Sequence, residues 1–295
     1  MNNILGHFSP LADESYILKD GDLAKVDLGC HMDGFIAQAA HTVVVSSDAN
    51  SKVEGKKAEV ILAAYNAFLA AQRLIKEQGT NTSVTQAIAK ICAEYGVNPV
   101  EGVLSHKVKK HLIDGNDVII NKETPEQKVE EFEFAAGDVI GLDIYVSSGE
   151  GKPKESEFRT CVFKRELDTQ YNLKIKSSRQ FFAEINKKFP TLPFSIRAVE
   201  EPLVAKIGVK ECIEHDLLTA YPVLTEKAGE VVAQFKCTIA VLPKSTVILS
   251  GEHAINTERY TTEKKITDQE TLNLINSELW KKEDKKKGTK EEKKE

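Results

Sequence analysis

Apolar and polar residues alternate in three stretches of the chain, and apolar residues recur every three or four positions in several others. The longest alternation runs from Leu23 to Val45, and the dipeptide Asp33-Gly34 interrupts it. Aspartate followed by glycine favours a two-residue turn, because both positions accept a positive φ. The pattern therefore predicts a β-hairpin in which Met32 pairs with Phe35.

This register decides which side chains of the hairpin share a face. It places Asp27 opposite Ala40 and Gly29 opposite Gln38, so Asp27 and Gln38 become diagonal neighbours roughly 7–8 Å apart. Taken alone, Asp27 would be interpreted as an ordinary acid near a strand end. The alternation predicts burial in a core for the apolar residues on the other face of the first strand, Ala24, Val26 and Leu28.

Helical periodicity follows the hairpin. Apolar residues three and four positions apart predict a helix over residues 56–78, with Gly79 as its C-terminal stop. A second helix is predicted over residues 84–95, with Ser83 and Gln86 as a capping box. Both helices are expected to cover one face of the sheet that contains the hairpin. Their predicted buried stripes are Ile61, Ala64, Phe68, Ala71 and Ile75 in the first helix, and Val84, Ile88, Ile91 and Tyr95 in the second.

The second half of the chain contains two stretches with the alternation of β-strands, and a segment with short helical patterns lies between them. Residues 138–148 alternate, with Asp143 on the face opposite the apolar stripe, and residues 229–250 alternate as a hairpin around Pro243-Lys244. Residues 164–225 carry short helical patterns. Thr267 and Glu270 predict the start of a last helix. Residues 281–295 are lysine-rich, of low complexity, and expected to be disordered.

Composition narrows the function classes. The chain has 295 residues, 41% of them hydrophobic and 29% charged, and a formal net charge of −5. Because the average surface is acidic, a surface that binds nucleic acid must be local. Five cysteines without CxxC spacing favour a reducing compartment over a disulfide or zinc framework. No segment resembles a signal peptide or a bilayer-spanning helix, so no membrane partner is expected.

The segment VDLGCHMDGFIAQAAHT carries a resemblance to a known family. The spacing of Asp27 and Gln38 resembles that of two metal-binding aspartates in the methionine aminopeptidases. The amino-acid sequence of this segment is more similar still to that of the proliferation-associated (ErbB receptor-binding) proteins, which are non-catalytic relatives of type II methionine aminopeptidase. The resemblance covers nearly the whole chain. It implies an α/β (α+β) pita-bread fold, with two pseudo-symmetric halves of curved antiparallel sheets backed by helices.

The resemblance also implies a division of the chain. Residues 1–163 and 226–265 are expected to form the pita-bread domain, with residues 164–225 as a small helical insertion. A C-terminal helix over residues 266–280 and a disordered tail over residues 281–295 follow. Relatives place a helical segment and a strand before their equivalent of Asn2, so the N-terminal part of the first half is expected to be missing.

The family's metal ligands map onto a degenerate set. The resemblance assigns those positions to Asp27, Gln38, His106, Asp143 and Lys236, and a former substrate-contacting position to His7. Two Asp, one His and two Glu give the family site a formal charge of −4, whereas the set here gives −1. A lysine ammonium repels a cation at close range and is no ligand. We therefore expect no metal, no cofactor and no enzymatic activity, with Lys236 paired to Asp27 or Asp143.

The resemblance implies binding to the large ribosomal subunit and to ribosomal or other structured RNA. It further implies links to ribosome biogenesis, translation and growth regulation, in the cytoplasm, nucleus and nucleolus. Two alternatives stay open: a protein-interaction scaffold or transcriptional co-regulator with partners in growth signalling, and an active metalloaminopeptidase. The candidate RNA contacts could also be a merely solvated helix face. They are Lys174, Lys176, Arg179, Lys187, Lys188 and Arg197.

Overall fold

The predicted hairpin forms with the predicted register. In the structure, a computed structural model that describes residues 1–11, 16–48, 50–251 and 253–282, Met32 pairs with Phe35. Asp27 lies opposite Ala40, and Gly29 lies opposite Gln38. The turn residues Asp33 and Gly34 have φ angles of 49° and 84°. Aspartate and glycine tolerate this left-handed conformation, which is why the turn, and with it the register, is encoded locally.

Strands outnumber helices among the described residues. None of the helices there combines the length and the apolar character needed to cross a membrane. The helices are α1 (Gly55–Leu74), α2 (Asn81–Tyr95), α3 (Lys176–Lys188), α4 (Pro202–Glu214) and α5 (Gln269–Asn276). The strands are β1 (Leu23–Met32), β2 (Phe35–Val44), β3 (Val53–Glu54), β4 (Asn98–Pro99), β5 (Leu104–Lys107), β6 (Val118–Ile120), β7 (Val139–Ser147), β8 (Lys154–Glu155), β9 (Val162–Arg165), β10 (Phe194–Ser195), β11 (Leu218–Tyr221), β12 (Leu224–Thr225), β13 (Val232–Leu242), β14 (Ser245–Ile248) and β15 (Tyr260–Thr261).

One antiparallel sheet organises the molecule. Its strands follow the order β1-β2-β13-β7-β5-β6, with β14 paired to β13 and β4 paired to β7. The second predicted hairpin corresponds to β13 and β14, joined through Pro243 and Lys244. β13 lies between β2 and β7, so it connects the first hairpin to the later strands, and β1 forms one end of the sheet order.

Helices α1 and α2 cover one face of this sheet, hereafter the helix face. α1 packs on β13 and β7, and α2 packs on α1. All of the predicted buried positions in both helices are buried, which confirms the two apolar stripes. On β7 the predicted alternation is also confirmed, because the apolar residues Ile140, Leu142, Ile144 and Val146 join this core. The opposite face of the sheet, hereafter the open face, carries Asp143.

The prediction of a core behind the first hairpin is wrong for two of three residues. Ala24 is buried, but Val26 is 53% exposed and Leu28 is 59% exposed. α1 packs mainly behind β13 and β7, and the described helices leave these two side chains of β1 uncovered. Alternation along a strand identifies an apolar face but says nothing about which element covers it.

Two helix starts differ from the predicted capping boxes. Thr80, not Ser83, caps α2, since its hydroxyl accepts a hydrogen bond from the Ser83 backbone N–H. Asp268 caps α5 by accepting from the backbone N–H of Thr271. In both cases the observed N-cap residue lies close to the predicted one, and both can accept the capping hydrogen bond. The sequence pattern alone is therefore compatible with either helix start.

The insertion is not purely helical, contrary to the prediction. Besides α3 and α4 it contains β10 and β11, which pair with β9 in a separate three-stranded sheet. β9 begins at Val162, ahead of the predicted boundary at residue 164. Buried residues of both helices and all three strands, including Phe163, Phe181 and Phe194, form a second core. These strands are only two to four residues long, so they give too few alternations to be recognised. The disordered tail was predicted over residues 281–295, of which residues 283–295 lie outside the described residues. For Lys281 and Lys282 the prediction is wrong, because Lys281 forms a β-bridge with Ser245 and the Lys282 N–H donates to the Lys244 carbonyl oxygen at 2.8 Å.

The cap of α5 predicts a pH dependence of stability. Hydrogen bonds from Lys90 and Thr271 hold the pKa of Asp268 at about 2, below its usual value of 3.8. A carboxyl group whose pKa is lower in the folded state stabilises that state when the pH is above its pKa in the unfolded state. This stabilisation is lost as the pH falls through its pKa in the folded state. Asp268→Asn keeps an acceptor for the cap but removes the charge.

We expect Asp268→Asn to have a lower melting temperature than the unsubstituted protein at pH 7. The difference between the two melting temperatures should shrink from pH 4 towards pH 2. Glu126→Gln, which neutralises another exposed acid, serves as the control and should show no such trend. A difference in melting temperature that stays constant from pH 7 to pH 3 would contradict the assignment.

Candidate functional site

Charged side chains from three strands form a row across the open face of the sheet. Lys236 on β13 lies opposite Ala40 of β2 on one side and opposite Asp143 of β7 on the other. Ala40 in turn lies opposite Asp27 of β1. Because residues directly opposite one another project from the same face, Asp27, Lys236 and Asp143 converge on one space.

Two donors bridge the two carboxylates. The Lys236 Nζ lies 3.0 Å from Asp27 Oδ2 and 2.8 Å from Asp143 Oδ2. The Gln234 side-chain amide donates to Asp27 Oδ2 at 2.8 Å and to Asp143 Oδ1 at 2.9 Å. We call Asp27, Asp143, Gln234 and Lys236 the lysine tetrad. The predicted pairing of Lys236 occurs, and it involves both acids rather than one.

Gln234 is a member of the site that the sequence pattern did not identify. It precedes Lys236 by two positions on β13, and the side chains of a strand alternate between faces. Gln234 therefore projects from the same face as Lys236, between the same two neighbouring strands. The alternation of side chains along the strand that carries Lys236 could have identified Gln234. A search for the family's metal ligands could not, because a glutamine is not among them.

Burial and charge act against each other in the tetrad. The side chains of Lys236 and Asp143 are each 14% exposed. Burial alone would lower the pKa of Lys236, but the charges of Asp143 and Asp27 outweigh it and raise that pKa. Burial raises the pKa of Asp143, and the ammonium beside it opposes that rise. The ammonium is therefore held in its charged form by the acids it bridges.

Gln38 and His106 occupy the neighbouring row of the open face. The Gln38 backbone N–H donates to the Thr238 hydroxyl at 2.7 Å, which fixes β2 against β13. The Gln38 side-chain nitrogen lies 3.1 Å from the point where a Cβ on Gly141 would stand. His106 pairs with Gly141 from the other side, and its Nδ1 lies 2.9 Å from the Gly115 carbonyl oxygen.

This donor set does not fit a pair of divalent ions. The Lys236 ammonium lies within 3.0 Å of both carboxylates, in the space where a cation would take its ligands. Gln38 offers an amide where the resemblance implies a carboxylate, and an ammonium offers no lone pair. Over the described ranges, no group of three or more His, Cys, Asp or Glu side chains has a geometry that could hold a metal ion.

A cavity of about 1,100 Å³ opens above the tetrad. It includes Asp27, Gln234 and Lys236 in its wall, together with His7, the former substrate position. His7 adopts a positive φ of 63°, and its Nδ1 lies 2.9 Å from the Pro222 carbonyl oxygen. The structure thus brings His7 to the same cavity as the tetrad, with one ring nitrogen already engaged.

The six predicted RNA contacts fall into two groups. Thirteen residues form α3, which makes the helix about 19 Å long. The first group lies around its start and the second around its end, so the two cannot form a single compact patch. The groups are Lys174, Lys176 and Arg179, and Lys187, Lys188 and Arg197.

Neighbouring groups already engage two of these cations. Arg179 donates to the carbonyl oxygens of Leu173 and Lys174. Lys188 contacts the carboxylates of Glu184 at 2.7 Å and Glu200 at 2.8 Å. Lys174, Lys176, Lys187 and Arg197 are exposed. RNA binding by these residues stays a prediction.

Comparisons with known proteins identify the relatives of this chain. The model of metallopeptidase family M24 matches residues 2–157. "Proliferation-associated protein A" of Dictyostelium discoideum is 45% identical over 251 residues, which are 85% of this chain and 65% of that protein. "Curved DNA-binding protein" of Schizosaccharomyces pombe is 40% identical over 295 residues, covering 98% of this chain and 76% of that protein.

A solved structure of a thermophilic Arx1 matches with a TM-score of 0.86 at 27% identity, covering 95% of this chain and 81% of that one. These matches confirm the predicted pita-bread fold. The chain spans less than two thirds of the length of the Dictyostelium relative.

The tetrad predicts a strong stability effect at Lys236. Lys236→Ala strands a buried carboxylate, which should lower the free energy of unfolding by about 3–5 kcal/mol. Adding Asp143→Asn should recover part of that loss, since it removes the stranded charge. Lys227→Ala breaks an exposed pair with Glu150, which solvent screens, and should therefore lower the stability far less than Lys236→Ala does. Denaturant titration measures all three variants, and equal losses for Lys236→Ala and Lys227→Ala would refute the prediction.

Proposed function

The chain belongs to metallopeptidase family M24, among the proliferation-associated proteins, and from that membership we propose that it is a non-catalytic binding protein. Its partners under this proposal are the large ribosomal subunit and structured RNA, with roles in ribosome biogenesis, translation and growth regulation. We place it in the cytoplasm, nucleus and nucleolus. The observation that carries the non-catalytic part is the Lys236 ammonium between Asp27 and Asp143.

The chemistry of the open face supports this proposal. A metallopeptidase needs metal ions to activate water and to polarise the scissile carbonyl. Lys236 and Gln38 stand where the family resemblance implies bridging carboxylates. The tetrad and its neighbours carry one positive and two negative formal charges, a sum of −1, with their hydrogen bonds directed at one another. Such a site lacks the negative charge that two divalent ions require, and an ammonium stands where a bridging ligand is needed.

The insertion supports the nucleic-acid part. Exposed cations lie at both ends of α3, whereas the tetrad has a net negative formal charge that disfavours phosphate. Because the whole chain has a net charge of −5, binding through these cations would be local and salt-dependent. The Schizosaccharomyces pombe relative is named as a curved DNA-binding protein, which is consistent with phosphate contacts in this branch.

One observation favours the second candidate, a protein-interaction scaffold or transcriptional co-regulator. Val26, Leu28, Met32 and Phe35 of the first hairpin are all exposed. Exposed apolar side chains gathered on one hairpin are a feature of protein-interaction sites. Binding that resists high salt would favour this candidate, and binding that falls steeply with salt would favour RNA.

The proposal predicts no metal-dependent hydrolysis of a Met-Ala-Ser peptide. Purified protein dialysed against Mn²⁺ or Co²⁺ should retain less than one ion per chain by elemental mass spectrometry. Gln38→Asp combined with Lys236→Glu replaces the two non-acidic side chains with carboxylates and should raise the metal content. Turnover by the unsubstituted protein that Asp27→Ala abolishes would refute the non-catalytic part.

The proposal also predicts a localised effect of charge reversal. Lys174→Glu with Lys176→Glu should weaken binding to purified large ribosomal subunits, as should Lys187→Glu alone. For every phosphate that a variant no longer neutralises, the log–log salt slope should flatten by about 0.7–0.9. Lys128→Glu with Lys265→Glu imposes the same charge change away from α3 and should leave binding unchanged. Cosedimentation at several salt concentrations measures this, and equal binding by all variants would remove the insertion from the interface.

A further inference from the structure

Helix α3 begins without a cap of its own. The residue at its N-cap position, Ile175, has no side-chain acceptor, and the first turn contains no acidic residue. Three cations lie around this start, where the positive end of the helix dipole disfavours positive charge. They are Lys174, Lys176 and Arg179. An acceptor from another part of the chain would therefore stabilise the start of α3.

Glu211 of α4 supplies such an acceptor. Its Oε1 accepts a hydrogen bond from the Lys174 backbone N–H at 2.9 Å. Glu211 is buried, with 7% of its surface exposed. The Ser178 hydroxyl and the backbone N–H groups of Lys174 and Ile175 lower the pKa of Glu211, so the carboxylate is charged at neutral pH. A negative charge from α4 thus lies at the positive end of α3.

The packing of α3 on α4 brings Glu211 to this place. A Cβ on Gly208 of α4 would stand 2.5 Å from the Phe181 Cβ, so only glycine allows the two helices to approach this closely. The Glu200 N–H, just before α4, donates to Glu184 Oε1 in the second half of α3 at 3.1 Å. The helices therefore run antiparallel. Glu211 follows Gly208 by three positions on the same face of α4, which carries it to the start of α3.

This placement goes against the local preferences of both helices. Glu211 lies in the last turn of α4, where the helix dipole disfavours an acid, and that turn contains no basic residue. The start of α3 has the opposite mismatch, with cations where an acid is preferred. Such departures from local preference are expected where a site serves a function. Glu211 therefore serves α3 rather than its own helix.

The backbone of Lys174 is held on both sides. Its N–H donates to Glu211, and its carbonyl oxygen accepts from the Arg179 guanidinium at 2.7 Å. The same guanidinium donates to the Leu173 carbonyl oxygen at 3.0 Å. The side chains of Lys174 and Lys176 are exposed. These contacts fix the backbone from which the two ammonium groups extend and leave the side chains themselves in solvent.

We propose that Glu211 is a positioning residue of the phosphate-binding surface at the start of α3. By holding the Lys174 backbone, it lets Lys174 and Lys176 meet the phosphates of a structured RNA with less loss of conformational freedom on binding. This rests on the proposed function, whose RNA contacts it deepens. Charge alone gives the opposite expectation, because a carboxylate beside cations weakens their attraction for phosphate.

Two substitutions at Glu211 separate positioning from charge. Glu211→Gln removes the charge but keeps a side-chain oxygen that can accept from the Lys174 N–H. Glu211→Met removes the same charge and provides no comparable acceptor, with a side chain of similar length and good helix propensity. In cosedimentation with purified large ribosomal subunits, Glu211→Met should bind about fivefold more weakly than Glu211→Gln. Equal affinities of the two variants would overturn the positioning role.

Amide hydrogen exchange measures the positioning in the free protein. Glu211→Met should speed exchange of the Lys174 amide about tenfold, whereas Glu211→Gln should change it less than about threefold. The Phe189 amide, which donates to the Ile185 carbonyl oxygen at 2.7 Å at the other end of α3, should stay protected in both variants. An unchanged Lys174 amide in Glu211→Met would contradict the proposal, as would loss of protection at Phe189.

Val199→Ala controls for a general loss of stability in the insertion. Val199 is 6% exposed and belongs to the same core, but it lies outside both helices and the segment before α3. Its truncation should lower the melting temperature and leave subunit binding within about threefold of the unsubstituted protein. If Val199→Ala weakened binding as much as Glu211→Met, the role of Glu211 would be structural only. Glu211→Ala serves as a second variant without an acceptor should Glu211→Met not fold.

Lys174→Glu with Lys176→Glu separates a failure of this proposal from a failure of the proposed function. In that background Glu211→Met should weaken binding no further, because the groups it positions are gone. If the lysine double variant bound like the unsubstituted protein, the RNA contacts at the start of α3 would be wrong and the positioning role would fall with them. If it lost binding while Glu211→Met did not, the RNA contacts would stand and the positioning role alone would be refuted.

Discussion

The ammonium of Lys236 between Asp27 and Asp143 is the interaction on which the open face depends. Two carboxylates converge there from β1 and β7, strands that do not pair with each other. The strand that contributes Lys236, β13, separates β2 from β7 and contributes the second donor, Gln234. A slip of β13 by one residue would turn both donors into the core and leave two acids facing each other. The charge balance and the strand register therefore stabilise each other.

The same balance explains how this face can remain folded without an external cation. One ammonium and one amide supply four contacts to the two carboxylates, which satisfies much of their hydrogen-bonding capacity. The arrangement is self-contained, because each donor reaches both acids. A metal ion could be coordinated here only if the contacts of Lys236 and Gln234 with the two carboxylates were broken, and these contacts hold β1, β13 and β7 together. A binding role on other surfaces requires no such rearrangement.

The sequence was sufficient where structure is set locally. Asp33-Gly34 fixes the hairpin register, and alternation along residues 138–148 places Asp143 on the face opposite the apolar stripe. The sequence was insufficient where the outcome depends on distant elements. Nothing in the alternation of β1 reveals that Val26 and Leu28 have no covering element among the described residues. The short strands β9, β10 and β11 are held by the core of the insertion rather than by their own pattern. Gln234 was detectable, but only once Lys236 was known to face the acids.

The cations of the insertion do not contribute equally to a phosphate-binding surface. Glu184 and Glu200 engage Lys188, and backbone carbonyl oxygens engage Arg179. Lys174 and Lys176 lie around the start of α3, and Lys187 lies at its end, about 19 Å away along the helix. Phosphate contacts would therefore fall at both ends of α3 rather than in one patch, so a partner that reaches both must itself extend over that distance. The lysine tetrad takes no part in such contacts, because its net formal charge is negative and its ammonium is held by two carboxylates.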